Sequence, residues 1–404
     1  MSKGALQNIR ITEFTSAWAG PYASAVLSFL GAEVIKVESR KRVDHSRRLS
    51  FSTGMVSKGY NESDVFNGMN FNKKSVTLNL SKPKAVEIAK RLIAHSDATL
   101  ENMRPGVMQR LGLGYEVLKA VKPDIIYLSS SAAGQTGPER EYVGYAPTFA
   151  AVGGISFITG YGDWPPSNFM GSIDLRSAVM SAFAILAALY HRQKTGEGQY
   201  IDLASQEAIA MMTGDAILDY SMNGRVQMRQ GNRDLTMAPH NCYRCKGEDR
   251  WISIAVDTDE EWQALCNVME KPDLSRDSRF ADGSGRWTHQ EELDRIIGQW
   301  TIRHEDYALM ERLQKAGVAA TPSLNSKDLF NDPHIKNRGI FTQMDHPHIG
   351  KTWGLTPPWR FSETPAEIRR HAPDLGEHND EIFHGLLGMS RDEIKALEAE
   401  EVIY

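Results

Sequence analysis

Asp174, in the run Gly171-Ser-Ile-Asp174 just ahead of a long apolar stretch, is the carboxylate with the clearest chemical opportunity. An aspartate directly before a helix accepts hydrogen bonds from first-turn amides and acts as an N-cap. The same place, at the positive end of the helix dipole, suits a nucleophile, because an oriented, ionised carboxylate can attack a carbonyl and hold the product covalently. The two roles are compatible. A second segment, Thr15-Ser-Ala-Trp-Ala-Gly-Pro21, occupies a strand-to-helix turn, where ligands approach open α/β sheets. It lacks the glycines of a dinucleotide fingerprint, and Gly20-Pro21 also reads simply as a tight turn with proline in the first helical turn. A third, Glu101-Asn-Met-Arg-Pro-Gly106, again follows a strand. Arg104 and Arg110 there could meet phosphates, or could be solvated surface residues. The 12 histidines show no HExxH or comparable spacing, so no metal is inferred.

These groups need a scaffold, and the periodicities describe one. Ile9 to Thr15 reads as a strand, Pro21 to Leu30 as a short helix closed by Gly31, and Glu33 to Glu38 as a second strand, which together make a βαβ unit. Strand and helix patterns alternate on through Ser75 to Leu80, Pro83 to His95, Ala98 to Glu101 and Asp124 to Ser129, as in an open parallel sheet covered on its faces. Apolar residues at 175, 178, 179, 182, 183, 185, 186 and 189 give a strong helix from Leu175 to about Arg192, followed by a strand at Tyr200 to Leu203. From Gly231 the pattern changes to the strand Trp251 to Val256 and helices at Glu260 to Met269 and Glu291 to His304. The expected organisation is an α/β protein with an open Rossmann-like large domain, residues 1–205 with 326–404, a linker at 206–230, and a smaller α+β domain at 231–325.

Bulk properties narrow the function. With 404 residues, 41% of them hydrophobic, the chain can bury a large core. The 46 basic residues are dispersed among 51 acidic ones for a net charge of -5, so no basic stripe is available and nucleic acid is not an expected partner. The first residues carry no apolar signal segment, and the run Ala178 to Tyr190 is shorter than the roughly 20 residues of a bilayer span, so a membrane role is not expected and the cytoplasm is the expected location. Cys242 and Cys245 form a solitary CxxC without a second pair and are expected to be reduced thiols in a strand.

Over almost its whole length the sequence resembles the class III CoA-transferases, the family of formyl-CoA transferase and carnitine CoA-transferase. The likeness runs through ITEFTSAWAGPYASAVLSFLGAEVIKVES (11–39), FNKKSVTLNL (71–80), ENMRPGVMQRLG (101–112), HRQKTGEGQYIDLASQEA (191–208), APHNCYRC (238–245), GVAATPSLNSKDLFNDP (317–333) and LGEH (375–378). The resemblance implies an aspartate nucleophile, which counting back from Leu186-Ala-Ala-Leu189 places at Asp174. It implies passage through a mixed anhydride and an aspartyl-CoA thioester, with a CoA thioester as substrate and no permanently bound cofactor. It assigns CoA contacts to Trp18, Arg40, Leu78, Asn79, Leu80, Asn102, Met103, Arg104, Arg110 and Tyr145, and an interlocked dimer, homomeric or with a related subunit. The sequence departs from formyl-CoA transferase in having Trp18 for a glutamine, Val143 for a lysine, and no run of four glycines. Trp18 in place of an amide suggests a larger, less polar acceptor. The region Gly231 to Val256 and Trp18 also resemble the transferases for aromatic succinates, which implies an aryl-substituted succinate such as benzylsuccinate as acceptor, with succinyl-CoA as donor. Two alternatives stay open. An α-methylacyl-CoA racemase shares the fold and the aspartate but uses a histidine where this chain has Tyr145, and a phenol, which in model peptides titrates at about 10, is a poor replacement in proton exchange. The chain could also be one subunit of a heteromeric transferase that is inactive without its partner.

Overall fold

Short β-rich runs separated by helix-length connections cannot pair as hairpins and must cross over, which makes their sheet parallel. The computed structural model describes residues 4–51, 54, 59–168 and 171–404. Six strands, β1 (Arg10–Phe14), β2 (Glu33–Glu38), β3 (Lys74–Thr77), β4 (Ala98–Glu101), β5 (Ile126–Ser131) and β6 (Tyr200–Ala204), form one sheet in the order β3-β2-β1-β4-β5-β6. Every neighbouring pair is parallel. The chain winds outward from β1 through β2 to β3, then returns to the other side of β1 for β4. A crevice therefore opens between the carboxyl ends of β1 and β4, the switch point at which sheets of this order receive ligands.

Both faces are covered. On one, Ile11, Val34, Leu100 and Leu128 of the strands pack against Ala23, Val26 and Leu27 of the helix Ala19–Phe29 and against Ala178, Ala182, Ile185 and Ala188 of the helix Gly171–Thr195. On the other, Phe14, Val37, Val76 and Tyr127 meet Ile88, Leu92 and Ile93 of the helix Pro83–Ala94 and Ile394 and Leu397 of the C-terminal helix Arg391–Ala399. The tail locks onto β3: the Asn79 amide donates to the Val402 carbonyl at 2.9 Å, and Leu78 bridges Ile403.

The long helix differs from its sequence reading. It spans 25 residues and starts at Gly171, one turn before the expected Leu175, because Ile173 is buried with Ala146, Ala150 and Ile209 and anchors that extra turn. By length and apolar composition Ser172–Thr195 is sufficient to cross a bilayer, contrary to the expectation that the run is too short. Its alanine-rich face is spent instead on the sheet and the helix Ala19–Phe29.

The chain divides into two compact units, residues 1–156, 168–226 and 338–404, and residues 157–167 with 227–337. Residues 206–226, expected as linker, belong to the first unit, where they form the helices Ser205–Ala210 and Gly214–Asn223. The tail joins that unit from 338 rather than 326. The second unit is α+β. Its antiparallel strands β7 (His240–Arg244), β8 (Trp251–Ala255) and β9 (Ala319–Pro322) carry helices Asp259–Val268, Gln290–Thr301 and Asp306–Lys315 over a core that includes Trp262, Leu265, Ile297 and Leu309. Cys242 lies in β7 with Cys245 just beyond it, and all three cysteines are free.

One buried ion pair ties distant segments of the first unit together. Arg47 grips Glu38 of β2 through two bonds of 2.7 and 2.8 Å, donates to the Pro373 carbonyl at 3.0 Å, and lies 3.5 Å over the Phe66 ring. Arg47→Ala leaves Glu38 buried without its partner and is expected to destabilise the protein by about 3–5 kcal/mol in urea denaturation. The double variant Arg47→Met with Glu38→Gln is expected to recover part of that loss.

Candidate active site

At the carboxyl end of β1 the chain turns sharply through Thr15-Ser-Ala-Trp18 before the helix Ala19–Phe29 begins. Ala17 has a φ of +68°, in the left-handed region that costs a residue with a Cβ of the order of 1 kcal/mol or more. Three neighbouring segments hold it there. Asn102, just past β4, accepts the Ser16 amide and returns its own side-chain N–H to the Ser16 carbonyl, both at 2.8 Å. Asp44 accepts the Ala17 amide at 3.0 Å. Lys36, in the middle of β2, donates to the Thr15 carbonyl at 2.8 Å. Gly20 is required by the approach, since a Cβ there would lie 2.8 Å from both the Asn102 side chain and Thr15. Two of the segments singled out in the sequence, around Trp18 and around Asn102, thus meet at the switch point.

The other candidates fall along the same edge of the sheet but are not equally open. Trp18 is half-buried and meets Phe51 edge-on, with ring centroids 5.8 Å apart. Arg40 after β2 and Arg104 and Arg110 after β4 are exposed, and their side chains make no hydrogen bond or ion pair to another described residue. Met103 is half-buried against the core. Leu78 is buried in that core, and the buried Asn79 spends its amide group on the Glu401 carbonyl and the Ser81 hydroxyl. Neither offers a side chain to a ligand, because the C-terminal tail occupies that side of β3; Leu80 alone of the three is partly exposed. Tyr145 is 75% exposed at the head of the helix Ala146–Val152, which packs on the turn bearing Asp174 through Ala146, Ala150 and Ile173.

Asp174 lies inside the first turn of the long helix, not ahead of it, so the N-cap reading does not hold. Among the described residues its carboxyl has no hydrogen-bond or ion-pair partner. Burial alone pushes its pKa from 3.8 up to about 6. Asp174 is a half-buried carboxylate that is still mostly charged at neutral pH.

The sequence reading missed the groups beneath the turn. Glu13, Lys36, Asp44 and Lys73 form a buried chain of alternating charge, with Lys73–Glu13 at 2.9 Å, Lys36–Glu13 at 3.6 Å and Lys36–Asp44 at 2.8 Å. Burial raises the Asp44 pKa, but Lys36 and the hydrogen bonds from Ala17 and Ser46 outweigh it and bring the carboxyl down to about 2. The signal was in Glu33-Val-Ile-Lys-Val-Glu38: a lysine in the centre of a strand buried from its second residue on must have an anionic partner. Glu101 was passed over as well. It ends β4 beside Ser129 of β5, which in turn pairs with Asp202 of β6, and burial followed by the nearby Asp202 charge pushes it up to about 7. A cavity of about 350 Å³ opens at the ends of β5 and β6, lined by Gly134, Gly137, Glu139, Asp202 and Glu207.

Comparison with known proteins agrees with this architecture and extends it to chemistry. The chain is 35% identical over 408 residues to succinyl-CoA–D-citramalate CoA-transferase of Chloroflexus aurantiacus, covering 98% of each sequence. It is 33% identical over 405 residues to the beta subunit of succinyl-CoA–L-malate CoA-transferase from the same organism, again covering 98% of each. The crystal structure of a CAIB/BAIF family protein from Brucella suis superposes with a TM-score of 0.86 at 30% identity, covering 96% of this chain and 100% of that one. The model for CoA-transferase family III matches residues 6–379, and with these relatives it shows that the chain belongs to that family and is a CoA-transferase.

Proposed function

We propose that this transferase moves CoA from succinyl-CoA to a small aliphatic dicarboxylic acid, with Asp174 as the covalent carrier. The observation that carries the reading is the state of Asp174: a half-buried carboxylate without a hydrogen-bonding partner among the described residues, its pKa raised to about 6. Such a group is still ionised at neutral pH and more basic than a solvated aspartate, which suits attack on a thioester. In the first step a carboxylate oxygen adds to the donor carbonyl and CoA leaves as thiolate, giving a mixed anhydride. The thiolate then attacks the aspartyl carbonyl, which forms the aspartyl-CoA thioester and releases the donor acid. The acceptor carboxylate repeats the two steps in reverse order and frees Asp174.

CoA itself would lie across the switch-point crevice. The guanidiniums of Arg40, Arg104 and Arg110, without a partner among the described residues, suit its phosphates, and Trp18, Leu80 and Met103 supply apolar surface beside Asn102. The expectation of an aryl-substituted succinate as acceptor rested on the resemblance of Gly231 to Val256 and on Trp18. That ring already packs on Phe51, and the relatives are named for citramalate and malate, so small hydroxy dicarboxylates are favoured over benzylsuccinate. Racemisation is disfavoured because Tyr145 is mostly exposed rather than desolvated as a second acid or base.

The outer face of the long helix and the two helices after β6 support an intertwined dimer. Phe183, Met211 and Met222 are 66%, 71% and 78% exposed, and the helix Gly214–Asn223 has no buried residue although it carries Ile217, Leu218 and Tyr220. A patch of this kind marks an interface. A second copy of this chain, or a related subunit as the malate enzyme's beta subunit suggests, would cover it in the cytoplasm. Light scattering of the wild type is expected to give a dimer that survives dilution, and the pair Leu218→Glu with Met222→Glu is expected to shift the mass to the monomer.

Asp174→Asn is expected to lower CoA transfer by at least about a thousandfold. Because burial raises this carboxyl above its unfolded value of 3.8, its charge costs the folded state nothing below that pH, increasingly more up to about 6, and most above it. The Asn variant should therefore be as stable as wild type, or more so by on the order of 1 kcal/mol, when unfolded in urea at neutral pH. Turnover of the wild type is expected to fall about tenfold per unit as pH drops below about 6. Hydroxylamine trapping with intact-mass analysis during turnover should find the acyl or CoA adduct at Asp174; full-rate exchange without one would exclude the covalent route.

A further inference from the structure

Asp44 is buried beneath the turn at the carboxyl end of β1 and organises it. A single oxygen, Oδ1, accepts the Ala17 amide at 3.0 Å, the Ser46 amide at 2.9 Å and hydroxyl at 2.7 Å, and the Ser16 hydroxyl at 3.3 Å. The other, Oδ2, lies 2.8 Å from the Lys36 ammonium, which also donates to the Thr15 carbonyl. Residues 15, 16 and 17 are thus all bound, directly or through Lys36, to one buried carboxylate. The residue that follows is Trp18.

We propose that Asp44, held by Lys36, is a positioning residue for acyl-CoA binding, fixing Ala17 in its left-handed conformation so that Trp18 is presented to the coenzyme. The proposal rests on the reading of this turn as part of the CoA site. Two features argue for positioning over simple stability. The conformation held is one that alanine adopts reluctantly, so without the Asp44 bond the turn has a more favourable state to relax into. Among the described residues the Ala17 amide has no partner but Asp44, which makes that carboxylate its specific restraint.

The test compares steady-state constants for both substrates with CoA binding by calorimetry, in the full-length protein. Asp44→Glu keeps a charge opposite Lys36 but moves the oxygen that takes the Ala17 N–H, and Asp44→Ala removes both interactions. Either is expected to raise KM for acyl-CoA and the Kd for CoA about tenfold or more, while kcat at saturation and KM for the acceptor stay within about twofold. Adding Ala17→Gly to Asp44→Glu should make the relaxed turn no more costly to recapture and restore part of the lost affinity, an effect that general destabilisation would not show. A fall in kcat and in the urea midpoint with unchanged KM for acyl-CoA would overturn the proposal. Trp18→Ala provides the separate check. If it weakens CoA binding and Asp44→Glu does not, positioning alone fails; if it leaves binding intact, the turn is not part of the CoA site and both fall together.

Discussion

Two hydrogen bonds of 2.8 Å between the Ser16 backbone and the Asn102 side chain set the width of the crevice on which the large unit is organised. The ladder between β1 and β4 ends at Phe14 and Glu101, and beyond it the chain leaves in opposite directions. A primary amide is suited to close such a gap, since it accepts and donates from one planar group and satisfies both backbone atoms of a single residue. Each bond contributes only about 1 kcal/mol net, but the two orphaned groups would cost more if left unpaired in a half-buried turn. Gly20 follows from the same closeness, because the helix beginning there passes within contact of Asn102.

Under that bridge the sheet carries charge where a core would ordinarily be apolar. Glu13, Lys36, Asp44 and Lys73 are all buried, and their desolvation is offset by mutual attraction and by hydrogen bonds to Thr15, Ser24 and Pro21. An apolar set of the same volume would be as stable or more so. What it would not do is reach three consecutive residues of a turn and hold one of them at positive φ. Here, polar groups bring geometry rather than net stabilisation, and burial keeps that geometry from being screened by solvent.

Much of this fold could be read from residue order because its strands are buried and short. Glu33–Glu38 and Ala98–Glu101 stand where the alternation places them, and Gly31, at a φ of +105°, closes the first helix as glycine allows. The misreadings have a common cause, which is contact with residues far away in sequence. Ile173 extends the long helix because Ala146, Ala150 and Ile209 surround it. Residues 205–210 fold as a helix because Ala208 and Ile209 are buried, Ile209 against Ala146, Ala150 and Ile173. Leu78 and Asn79 are closed off by the returning residues 401–403, which no local pattern near β3 announces. Pairings of this kind belong to topology, and topology lies beyond what periodicity reports.

The extra helical turn ahead of Asp174 matters more than its length suggests. An aspartate at the N-cap would accept first-turn amides, and its pKa would fall; the charge would be secure but the oxygen a weaker nucleophile. In the first turn the Asp174 carboxyl makes no hydrogen bond among the described residues, and burial acts alone, which raises the pKa to about 6. The shift is modest enough to keep the group charged at neutral pH and large enough to make it a better base. It also explains why the ionised form need not be stabilised before substrate arrives. In the proposed reaction the carboxylate's charge passes to the departing thiolate at the first step, so stabilising it in the resting enzyme would only deepen the ground state from which attack begins.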